Sequence, residues 1–148
     1  MHTLCLVIFA SAVGISADDP PPQSDQEKAQ GTWVVEKVEV GKLEEPLKNY
    51  MQQLTQLDIK GDTCVMFTRD SGTDPEERHK LTLTLDGKQT PGHMDFATDG
   101  KKSPLKAIYR FDEDALAIAV GLRDDYRPKG FDPNKEAIFV LVLKKKKL

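Results

Sequence analysis

The feature that most constrains this chain is a hydrophobic period of two that recurs along most of its length. Lys80-Leu81-Thr82-Leu83-Thr84-Leu85-Asp86 alternates strictly, placing Leu81, Leu83 and Leu85 on one face of a strand and Thr82 and Thr84 on the other. Leu105, Ala107, Tyr109 and Phe111 alternate with Lys106, Ile108 and Arg110, and Leu116, Ile118 and Val120 alternate with alanines. Residues 138–143 are continuously apolar, as expected of a strand covered on both faces. Further strands are expected at 32–40, 56–60, 63–69 and 93–98, which makes eight short strands. The turns between them have a physical basis. Gly61-Asp62 is a hairpin signal, and Asp86-Gly87 and Asp99-Gly100 supply the positive φ values that tight turns need. Short strands at this spacing predict an all-β antiparallel sandwich or barrel.

One segment departs from the period. After Glu45-Pro46, the residues Leu47, Tyr50, Met51 and Leu54 fall at i, i+3, i+4 and i+7, which predicts one short amphipathic helix between the first two strands.

The N-terminus has a different composition. Residues 1–17 contain no Asp, Glu, Lys or Arg, Leu4 to Val13 is almost wholly apolar, and Ser16-Ala17 leads into Asp18-Asp19-Pro20-Pro21-Pro22. This is a secretory signal pattern with cleavage expected after Ala17, and the apolar run is too short for a permanent membrane span. Residues 18–27 read as a flexible, proline-rich linker and 28–148 as the folded domain, placing the mature chain in a secreted or periplasmic setting. Removing the signal also removes Cys5, so Cys64 has no internal disulfide partner and reads as a buried small hydrophobe.

Composition narrows the function classes. With 24 acidic and 21 basic residues and a net charge of −3, the chain lacks the clustered basic excess of a nucleic-acid binder. Two cysteines and three histidines give neither a four-cysteine zinc site nor a histidine-rich metal centre. The acidic stretch Asp70, Asp74, Glu76, Glu77 lacks the ligand spacing of an EF-hand. No nucleophile elbow, zinc-protease, Walker or dinucleotide motif occurs, so no catalytic residue, metal or cofactor is assigned. Lys144–Lys147 reads as a solubilising tail.

Gly31-Thr32-Trp33, at the start of the first strand, resembles the opening G-x-W of lipocalin-type barrels. There the tryptophan plugs one end beside a cation from the last strand; Lys144 or Lys145 would supply it here. The order of Gln30–Val35, Leu57–Asp62, Ala107–Leu116, Arg127–Phe131 and Val140–Lys144 resembles a planctomycete family of small secreted lipocalin-like domains of uncharacterised function. The resemblance covers residues 27–146 and implies an antiparallel eight-stranded lipocalin-like barrel with a helix between its first two strands. It carries over no active site.

On these grounds the chain reads as a noncatalytic exported domain binding a small, partly apolar ligand. Alternation nominates Leu83, Phe96, Tyr109, Phe111 and Ile118 as the lining, with Tyr109 as a polar handle. The alternative is an envelope protein-interaction or inhibitor-like module with a solid barrel core. In the loop at 127–131, Phe131 either enters the interior or anchors a proline turn, and Arg127 pairs with Asp124 or Asp125. A third reading, an enzyme, would require His79, His93 and acidic residues to gather in one cleft.

Overall fold

The computed structural model describes residues 24–41, 49, 52–69, 77–98, 104–121, 126–134 and 138–147. Its strands are β1 (Gly31–Val40), β2 (Leu54–Lys60), β3 (Thr63–Thr68), β4 (Glu77–Asp86), β5 (Gly92–Ala97), β6 (Leu105–Asp112), β7 (Ala115–Gly121) and β8 (Ile138–Lys145). Each pairs antiparallel with the next, and β8 returns to β1, closing an eight-stranded up-and-down barrel with the lipocalin-like order. Closure removes the exposed sheet edges that an open meander would leave.

Alternation puts the apolar face inside. Leu57, Ile59, Cys64, Leu81, Leu83, Met94, Phe96, Ala107, Tyr109, Leu116, Ile118, Leu141 and Leu143 are buried in one cluster. Two bulges adjust the phase. Glu36 is an extra residue opposite β8, so Val35 and Val38 both turn inward although three positions apart. Thr55 does the same in β2, bringing Leu54 inside with Leu57. Strict alternation would have placed Leu54 on the opposite face from Leu57.

The helix expected at 46–54 lies mostly outside the described residues; within it, Asn49 and Gln52 are helical and Leu54 already belongs to β2. The described helix is a different one. Helix α1 (Asp25–Ala29) precedes β1, and its first three residues fall within the stretch 18–27 expected as linker. Ser24 caps it, its hydroxyl accepting from the Glu27 N–H at 3.2 Å.

Helix α1 covers the barrel end defined by the β2–β3, β4–β5 and β6–β7 turns. The Gln26 side-chain amide donates to the Gly61 carbonyl at 2.6 Å, and the Gln30 side chain both donates to that carbonyl and accepts from the Gly61 N–H. Gly61, in the expected hairpin turn, has φ 62° in the left-handed region, whereas Gly87, where positive φ was expected, does not adopt it and Gly100 lies outside the described residues. On the barrel's outer wall, the segment 126–134 lies over Ile108, Ala119 and Val140, which Tyr126 and Phe131 cover. This explains why 138–143 is apolar on both faces. Of the two readings of Phe131, this matches the anchored proline turn and not entry into the interior. Inward positions of β6–β8 already fill that space, and the outward apolar residues need a cover. Phe131 supplies it, with the Arg110 guanidinium 4.5 Å above its ring. Arg127 pairs with Asp95 at 2.7 Å and donates to the Ala107 carbonyl at 2.7 Å; Asp124 and Asp125 lie outside the described residues.

Candidate functional site

The five nominated lining residues all face inward, as alternation requires, but they do not surround a lumen. Leu83, Phe96, Tyr109 and Ile118 leave 0–5% of their surface within reach of water. An empty cavity able to hold a ligand would expose its walls to a water-sized probe, so these four residues are surrounded by protein atoms. Phe111 alone among the five is partly open.

Tyr109 shows how the packing is achieved. Its cross-strand partner is Gly92, and its ring lies directly against the space a side chain at Gly92 would occupy. Its hydroxyl reaches the barrel end and donates to the Asp25 carboxylate at 2.6 Å. Ring and hydroxyl are both buried, the hydroxyl beneath α1. Burial first, and then the Asp25 hydrogen bond and charge, push the phenol pKa above its ordinary value. Tyr109 is therefore a neutral donor that fastens α1 to the barrel.

Phe111 continues this inward row to the rim. Its ring packs edge-on to Tyr109, with centroids 5.6 Å apart, and tilted against Trp33 at 6.1 Å. Trp33 is buried, and its indole N–H donates to the Ala29 carbonyl at 2.8 Å. Lys145, the cross-strand partner of Trp33 in β8, places its ammonium 5.4 Å from the indole centroid. This settles which of the two lysines stacks there. Lys145 also donates to the Lys28 carbonyl in α1 at 3.3 Å, and the Lys28 ammonium lies 6.0 Å from the Phe111 centroid.

Together these side chains form a cleft of 340 Å³ at the helix-covered end, lined by Lys28, Trp33, Phe111, Glu113 and Lys145. Sequence reading nominated Phe111 as lining, and placed Trp33 with Lys144 or Lys145 at one barrel end in a structural role. It missed Lys28, assigned to the start of the domain, and Glu113, read as part of a simple turn. Wider recesses of 620 and 490 Å³ lie beside Glu39, Phe131 and Asn134 and beside Val34, Gln53 and Arg69.

Among the described residues no group of three or more His, Cys, Asp or Glu side chains is placed to hold a metal ion. His79 pairs with Met66 on the inward face of β4, whereas His93 alternates with buried Met94 and faces outward, so the barrel wall separates them. Cys64 is buried. Desolvation, reinforced by the Asp58 charge, pushes its thiol from an ordinary value near 9 up to about 12. This is the opposite of what a nucleophile requires.

Fold and site together define a closed lipocalin-like barrel packed around Leu83, Phe96, Tyr109 and Ile118, with a helix-covered end. No family model, curated protein or solved structure matches the chain.

Proposed function

We propose that this chain is an exported, noncatalytic lipocalin-like domain, akin to the planctomycete family it resembles, that acts as an interaction module of the cell envelope from the outer surface of a solid barrel. The observation that carries this reading is the closure of Leu83, Phe96, Tyr109 and Ile118 against protein atoms, each at most 5% exposed. A carrier of a small apolar ligand needs a lumen of roughly 300 Å³ or more among such residues. Separation of His79 from His93 by the barrel wall, and the raised thiol pKa of Cys64, support a noncatalytic role. Export rests on the uncharged apolar segment at 4–13 and the small residues that follow it.

The test combines crosslinking in the native cells with native mass spectrometry of the protein purified from them. One envelope protein recovered reproducibly by crosslinking, with the domain itself at its bare polypeptide mass, is the expected result. A tightly held small molecule that survives purification would replace this reading with the carrier.

A further inference from the structure

From the cleft at the helix-covered end we infer that the barrel binds a small aromatic monocarboxylate there, in contact with Lys28, Lys145 and Phe111. The cleft's 340 Å³ falls within the range of small-molecule sites. Its partly open Phe111 ring offers an apolar surface for a flat body. Two ammonium groups converge on the same space. Lys28 has only a loose ion pair, 3.9 Å from Asp25, with both side chains substantially exposed, so little holds its charge back from a ligand. Lys145 spends one of its three donors on the Lys28 carbonyl, which holds the ammonium beside the cleft and leaves two donors free. A carboxylate there gains charge-assisted hydrogen bonds while the attached ring stacks on Phe111.

Glu113 sets the charge limit. It forms the remaining wall of the cleft and repels a second carboxylate on the ligand, so a monoanion fits and a dianion does not. The site stands apart from the crosslinked contact proposed above: its loss would leave that reading untouched.

Trp33 is the only tryptophan, and it borders the cleft, so its emission reports occupancy directly. Phenylacetate should change that emission saturably, with a Kd on the order of 1 mM for so small a ligand. Saturation-transfer NMR on phenylacetate provides a second readout that is independent of the indole. Acetate, which lacks the ring, and phenylacetamide, which lacks the charge, should bind about ten-fold more weakly. Lys28→Met and Lys145→Met should each weaken phenylacetate about ten-fold, while Lys80→Met on the exposed face of β4 leaves it unchanged. Lys28→Met carries the test if Lys145→Met disturbs the barrel. Equal binding of phenylacetamide and phenylacetate, unchanged binding by Lys28→Met, or no saturable NMR signal would each overturn the inference.

Discussion

Two residues carry local costs that substitution can reveal. Glu113 adopts φ 54° in the β6–β7 turn, a left-handed conformation in which a Cβ crowds the following carbonyl. Glycine pays no such steric cost, so Glu113→Gly should stabilise the barrel by about 0.5–1 kcal/mol in urea unfolding, after allowing for the greater freedom of glycine in the unfolded chain. Cys64 has the opposite character, an ionisable group that burial keeps neutral. The unfolded chain gives up this proton near pH 9, whereas the folded chain holds it to about 12. Stability from this residue is therefore complete below about pH 8.5 and is lost as pH rises from 9 toward 12, amounting to about 4 kcal/mol at the upper end. Cys64→Ala should flatten that alkaline slope in unfolding curves measured between pH 8 and 11. The native protein should also resist thiol reagents at pH 8 until it is unfolded.

At the scale of elements, α1 and the 126–134 segment are held by a few identifiable contacts. Five residues are too few for a helix to persist alone, so α1 depends on its cap and on its ties to Gly61 and Tyr109. Tyr109→Phe removes the hydroxyl that Asp25 accepts from and should destabilise the fold by about 1–2 kcal/mol. Trp33 emission should shift to the red as α1 loosens, because Ala29 in that helix holds the indole N–H. Arg127→Met should cost about 1 kcal/mol, since Asp95 and Arg127 are both partly exposed. Its clearer signature is faster proteolytic cutting within 126–134, where the anchor to β5 and β6 is lost. The two segments also show what local sequence can and cannot convey. The strands were legible because the two faces of a barrel wall differ chemically, and a period of two records that difference except at the bulges of β1 and β2 and along β8, where both faces are covered. Helix α1 was not, because Asp25-Gln26-Glu27-Lys28-Ala29 has only one buried side chain and follows a proline-rich run. Its helicity is supported by contacts 31 to 117 residues distant in sequence. Phe131 illustrates the same limit: a lone aromatic beside a proline turn reads as an anchor without saying on which side of the wall it sits.

For the molecule as a whole, the candidate site was half legible. Aromatic residues on an inward face point to Trp33 and Phe111. The charged residues beside them come from a helix and a turn, and their positions follow only once the ring is closed. Closure itself has a further consequence. The Lys146 N–H donates to the Thr32 carbonyl at 2.8 Å, so the chain leaves the barrel beside the place where it entered. A short flexible segment could therefore join the two ends, with new ends opened in the connection between β5 and β6. Such a permuted chain should give the β-dominated circular dichroism of the original and the same Trp33 emission maximum, because all eight strand pairings are retained. A ring of strands has no intrinsic first member, and the order from β1 to β8 records only where the circle happens to be cut.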